Sequence, residues 1–154
     1  MKNIRISLIA TPMMLVCGWL TSGTLAVAQA TDAGACSNQV LSGNYGYSAE
    51  GVLIGVPGLP TEAQFRSVGM THFDGKGNLA WLENTVINGV PVNQPWTEAN
   101  GTYTVNANCT GTAVVNTPNS PVPLNLAFVV VKKGQEVHSV ENANAISTVF
   151  TKVN

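Results

Sequence analysis

From residue 42 onward, apolar and polar side chains alternate in short runs separated by turn residues. Residues 79–87 are the clearest case. Leu79, Trp81, Glu83, Thr85 and Ile87 fall on one face of an extended chain, and Ala80, Leu82, Asn84 and Val86 on the other. Residues 44–51 carry Tyr45 and Tyr47 at alternate positions. Residues 65–74 form a further run, closed by Asp74-Gly75-Lys76-Gly77-Asn78, a hairpin turn whose glycines take positive φ without a Cβ penalty. Asn88-Gly89 is a second turn signal, and residues 92–106 read as extended with a bend or bulge near Pro95 and Gly101. Strands are predicted over 110–116, 124–131, 135–141 and 145–153, with a loop of three prolines over 117–123 and turns at Lys133-Gly134 and 142–144. The one helical feature is 37–41, a short turn that Ser37 can cap and Ser42-Gly43 stops.

Eight strands with short connections leave no space for a crossover helix, so neighbours pair antiparallel. The expected fold is all-β: an eight-stranded antiparallel up-and-down barrel with one short N-terminal helical turn. Closure removes exposed strand edges, and a barrel of this size holds packed side chains or one small ligand. A two-sheet sandwich is the alternative. Residues 124–131 are apolar on both faces, with Leu124, Leu126, Phe128 and Val130 on one side and Val129 and Val131 on the other. The outer face of a half-solvated sheet is normally polar, so this strand predicts a homo-oligomer contact.

Residues 1–30 follow a different pattern. Lys2 and Arg5 precede an apolar run that includes Leu8, Leu15, Cys17 and Leu20. Ala26-Val27-Ala28 and Ala28-Gln29-Ala30 each fit a small-x-small cleavage site. This predicts a signal peptide over 1–30, a single domain over 31–154, and a secreted or periplasmic location. Of three cysteines, Cys17 leaves with the leader. Cys36 and Cys109 remain and are expected to pair in an oxidising compartment, the alternative being two free buried thiols. Of seven Lys and Arg, Lys2 and Arg5 also leave, so five cations face eight carboxylates, a balance that argues against nucleic acid as a partner. No apolar run after the leader approaches the roughly 20 residues of a membrane span.

Glu136 and His138 are two apart and share a strand face. Facing inward, they form an acid–base pair able to move a proton on a bound ligand, and are the candidate catalytic residues. Facing outward, they are solvated and Val137 and Ser139 face the core. Glu83 shares a face with Trp81, and Glu98 with Trp96, each an apolar wall with a polar anchor. With Tyr45 and Tyr47 as hydroxyl donors, these are the candidate ligand-binding residues. Core packing is the alternative for the aromatics, and outer-wall exposure for the two glutamates. His72 and His138 are the two histidines and lack ligand spacing to a neighbour, so no metal is expected. The Asp74 turn lacks the closing glutamate of a calcium loop. Asn100-Gly101-Thr102 and Asn108-Cys109-Thr110 match glycosylation sequons. No nucleophile elbow, phosphate loop or dinucleotide fingerprint is present, so no cofactor is expected.

Several strings carry a family resemblance. They are Cys36-Ser37 leading to Leu41-Ser42-Gly43-Asn44-Tyr45-Gly46-Tyr47, then Val68-Gly69-Met70-Thr71-His72-Phe73-Asp74-Gly75-Lys76-Gly77-Asn78-Leu79. Gly101-Thr102-Tyr103-Thr104-Val105-Asn106 runs into Asn108-Cys109-Thr110-Gly111-Thr112, and Phe128-Val129-Val130-Val131 is followed by Gly134-Gln135-Glu136-Val137. Together they resemble the secreted bacterial relatives of the allene oxide cyclase-like, calycin-like barrel, over nearly all of residues 31–154. The resemblance implies an eight-stranded barrel, often a trimer, with an apolar cavity. It implies cofactor-free rearrangement of an unsaturated fatty-acid epoxide in the plant members, achieved largely by holding its shape. The polar site residues of those cyclases find no matching positions here, so no catalytic residue carries over.

Two functions from different classes follow. One is an exported barrel that binds a hydrophobic or aromatic small molecule, with or without isomerase or cyclase-like turnover. The other is a non-enzymatic secreted structural or interaction domain whose barrel is filled by its own side chains. A cavity that receives Glu136 and His138 distinguishes the first; bulky residues in the lumen distinguish the second.

Overall fold

The computed structural model describes residues 36–92 and 96–153. The signal-peptide expectation at 1–30 lies outside them. Among the described residues there are nine strands and two 3₁₀ turns, one before the first strand at Asn38–Val40 and one at Lys132–Gly134. The strands are β1 (Ser42–Ile54), β2 (Glu62–Asp74), β3 (Asn78–Ile87), β4 (Val90–Pro91), β5 (Thr97–Val105), β6 (Thr110–Asn116), β7 (Leu124–Val131), β8 (Glu136–Glu141) and β9 (Ala145–Lys152). Every pairing is antiparallel, and the ladder runs β1–β2–β3–β5–β6–β7–β8–β9 and back to β1. This is a closed eight-stranded up-and-down barrel, not a sandwich. The two-residue β4 is an extra piece paired to the end of β3 through Ile87↔Val90.

Two departures from the sequence pattern have local causes. The extended stretch expected over 92–106 is broken, with β4 ending at Pro91 and β5 starting at Thr97. Gly101 makes no bulge; it sits in regular register between Leu79 and Val115. Strands β1 and β2 are also longer than the alternation suggested, because Val52, Leu53 and Ile54 pair with Gln64, Ala63 and Glu62. Pairing of β1 with β9 stops at Val52, so this hairpin projects past the wall.

Register defines two rims. Ser42, Asp74, Val105, Val131 and Lys152 mark one; Ile54, Ile87, Thr97, Asn116 and Glu141 mark the other. The first rim is sealed by the segment before β1. Leu41 is fully buried there, Asn38 Oδ1 accepts from Val105 N–H at 2.7 Å, and Tyr103 donates its hydroxyl to Leu41 O at 2.9 Å. Tyr45 donates to Gly134 O at 2.6 Å. The Cys36–Cys109 disulfide fastens this segment to the β5–β6 turn, with Cα atoms 5.1 Å apart across a sequence separation of 73. At the same rim Asp74 Oδ1 accepts from the backbone N–H of Lys76, Gly77 and Asn78 at 2.7, 2.9 and 2.9 Å, which fixes the β2–β3 turn.

Candidate functional site

A barrel of this kind can host chemistry in its lumen or on its wall. The lumen is built by the alternating inward positions, and these are large. Phe73 meets Tyr45 edge-on at 5.2 Å and Tyr103 at 5.0 Å between ring centroids. Tyr47 meets Trp81 at 4.9 Å and Phe150 at 5.4 Å. The three edge-to-face pairs, Tyr45–Phe73, Phe73–Tyr103 and Tyr47–Trp81, add about 0.5–1.5 kcal/mol each beyond burial. Room for two of the rings comes from glycines directly opposite them. Tyr47 pairs with Gly69 across β1–β2, and Phe128 with Gly111 across β6–β7. A Cβ on Gly69 would lie 2.5 Å from Tyr47 Cε1, and one on Gly111 2.3 Å from Phe128 Cζ. What remains is a cavity of about 10 Å³.

Toward the second rim the lumen turns polar. The Trp81 indole N–H donates to the Tyr47 hydroxyl, and Thr85 donates to Ser67 Oγ at 3.0 Å. Ser67 in turn donates to Asn84 O at 3.2 Å. Burial pushes the Tyr47 phenol well above its ordinary value, against the opposing effect of its Ser67 and Trp81 contacts. Glu83 is 5 % exposed. Its Oε1 accepts from Thr117 Oγ1 at 2.6 Å and from Asn119 Nδ2 at 2.8 Å. Both donors come from the β6–β7 loop, so one buried carboxylate straps that loop over the rim. Glu141 also points inward, but its oxygens are taken by Ala143 N–H at 3.1 Å and Asn144 Nδ2 at 2.6 Å within the β8–β9 turn.

Of the ligand-binding candidates, Tyr45, Tyr47, Trp81 and Glu83 therefore lie inside, as packing and strap rather than as lining of an open pocket. Trp96 and Glu98 lie outside and exposed. The inward arrangement on which a catalytic role for Glu136 and His138 was conditioned is not the one adopted. Val137, Ser139 and Glu141 hold the inner face of β8, and the side chain of His138 is 49 % exposed. The pair is close, with His138 Nε2 2.6 Å from Glu136 Oε1, and Lys132 Nζ donates to Glu136 Oε2 at 2.6 Å. The Lys132 and His138 contacts hold the Glu136 carboxyl below its ordinary range, which suits a surface ion pair rather than an acid poised to give a proton.

The outer wall carries the larger concavity. An open groove of about 430 Å³ crosses β9, β1 and β2, floored at Gly46 and flanked by Val68, Met70, Trp96, Val149 and Thr151. On the same outer wall Val129 and Val140 are exposed on β7 and β8, as is the groove residue Val149 on β9. The outer apolar positions of β7 thus divide, Val129 exposed and Val131 half-buried. Among the described residues no group of three or more His, Cys, Asp or Glu gathers as a metal site requires, and no helix is long and apolar enough to cross a membrane.

Thr117, Asn119 and the inward direction of Glu141 escaped the sequence reading. The first two sit in a proline-rich loop with no periodicity. Glu141 had a usable signal, since it falls on the same alternate positions as Val137 and Ser139. The chain matches no protein-family profile and no curated protein at a significant level.

Proposed function

We propose that this protein is an exported, non-enzymatic barrel, a structural or interaction domain that meets its partners with its outer wall. The observation that carries this reading is the filled lumen, about 10 Å³ against about 430 Å³ in the groove outside. Enclosed sites for drug-sized ligands run to roughly 300 Å³ or more, so a fatty-acid derivative has no room among these rings. Catalysis by shape needs that room. The outward Glu136–His138 pair, already engaged by Lys132, favours the same reading. The leader pattern and the Cys36–Cys109 bridge support export. Kinship with the allene oxide cyclase-like barrels rests on the strings quoted above, with which a sequential eight-stranded barrel is compatible. The exposed Val129, Val140 and Val149 support self-association through β7–β9; a monomeric mass by light scattering at high protein concentration overturns that part.

The test is a thermal-shift panel of apolar aromatics and fatty-acid derivatives on the wild type, Trp96→Ala and Phe150→Leu. A ligand that binds the native state raises the melting point by mass action. The expected result is no shift, or a shift abolished by Trp96→Ala alone. A shift that survives Trp96→Ala and disappears in Phe150→Leu places a ligand in the lumen and overturns the proposal.

A further inference from the structure

Gly46 lies on the outer face of β1, and nothing within the chain calls for a glycine there. A Cβ at Gly46 would sit 3.8 Å from Met70 Sδ and 3.8 Å from Val153 Cγ2, which are ordinary packing distances. On Gly69, Gly101 or Gly111 it would come within 2.1, 2.2 or 2.3 Å of an atom. A glycine inside a strand costs stability, and one that internal packing does not require marks a place where another surface comes close. Gly46 floors the groove of about 430 Å³. Register sets apolar side chains around it. Met70 pairs with Gly46 and with Leu82, and Val68 and Val149 both pair with Ser48. Trp96 joins the lining and is 49 % exposed.

The exposed parts of Val68, Met70, Leu82, Trp96 and Val149 come to on the order of 500 Å² of apolar surface, the upper end of the largest patch on an ordinary monomer. A standard interface removes about 800 Å² from each partner, somewhat over half of it apolar. These five side chains therefore supply the apolar area that a dimer of this chain needs. None of the five ionises, and a charge-free centre with an aromatic residue and a methionine is the composition of an interface core.

We infer that this face docks a second copy of the chain about a two-fold axis, each Trp96 seated over the other copy's Gly46. The inference rests on the outer wall being the interaction surface. Reciprocity follows from position: projecting ring and notch lie on one face, so one contact made twice closes the pair.

Sedimentation equilibrium over a range of concentrations tests this on the wild type, Trp96→Ala, Gly46→Leu and Val140→Glu. The wild type is expected to show a reversible monomer–dimer equilibrium, with Kd raised about tenfold or more by Trp96→Ala and by Gly46→Leu. At a concentration where the wild type is monomeric, Gly46→Leu should match its circular dichroism and melt no lower, because the added side chain meets no close atom. If either variant dimerises like the wild type, or the wild type is a trimer, the pairing is overturned. Association lost in Val140→Glu but kept in the other two puts the contact on β7–β9 alone, which overturns this inference and spares self-association. A wild type that stays monomeric throughout overturns both. Acrylamide quenching, which reads exposed Trp96 over buried Trp81, decides the case where Gly46→Leu fails to fold. It should fall as the wild type is concentrated through Kd, and unchanged quenching overturns the inference.

Discussion

Removing the disulfide is the sharpest perturbation of this fold, because its energetic effect follows from chain length. The Cys36–Cys109 bridge closes a loop with a sequence separation of 73. Confining a loop of that size in the unfolded ensemble is worth about 4 kcal/mol in the chain-entropy description. Replacing both cysteines together, as Cys36→Ala with Cys109→Ala, removes the link without leaving a reactive thiol. The contacts that seat the N-terminal segment remain, since Leu41 stays buried and Asn38 keeps its bond from Val105 N–H. The barrel is therefore expected to fold, with an unchanged far-ultraviolet circular dichroism spectrum. For a domain of this length each kcal/mol moves the melting point by about 4 °C, so Tm should fall by roughly 15 °C. Differential scanning calorimetry measures this directly, and reduction of the wild type should reproduce it. A drop under about 4 °C would refute the loop-closure reasoning and imply that the segment is held by its packing alone.

Three further outcomes are expected. Glu83→Ala leaves the Thr117 and Asn119 donors without their shared acceptor, and should cost about 2–3 kcal/mol in urea unfolding while speeding hydrogen exchange in the β6–β7 loop; unchanged exchange there sinks the strap. Gly69→Ala would set a methyl 2.1 Å from Leu82 O and 2.5 Å from Tyr47 Cε1, a clash expected to cost about 1–3 kcal/mol, so an unaltered denaturation midpoint would contradict the packing described. The Asp74 carboxyl is held far below its ordinary range, first by the Asn78 side chain and then by backbone N–H groups of the turn. Its folded pKa is depressed, so its contribution is present above the unfolded carboxylate value of about 4 and is lost as pH falls toward the folded one. Tm should decline more steeply below pH about 4 in the wild type than in Asp74→Asn. Parallel curves would remove Asp74 from the acid response.

The barrel was legible because its turns announce themselves. Asp74-Gly75-Lys76-Gly77-Asn78 and the strict alternation from Leu79 to Ile87 place two strands and their hairpin without reference to the rest of the chain. The facing of β8 was not legible in the same way. Its inner positions include Ser139 and Glu141, and its outer ones include Val140, so hydropathy does not separate the two sides. Only the neighbours in the ring, which bring Phe128 opposite Ser139 and Phe150 opposite Val137, decide it. The filling of the lumen was also hidden. Tyr47 and Phe128 fit inside because Gly69 and Gly111 lie across from them, a pairing between distant positions that local pattern does not reveal.

The first and last described residues share one rim. Cys36 N–H donates to Ala107 O at 3.2 Å and Val153 N–H to Asn44 O at 2.9 Å, both beside the sealed end. A tether attached at that rim would leave the opposite rim free. An array immobilised that way would leave the Glu83 strap and the projecting β1–β2 hairpin accessible.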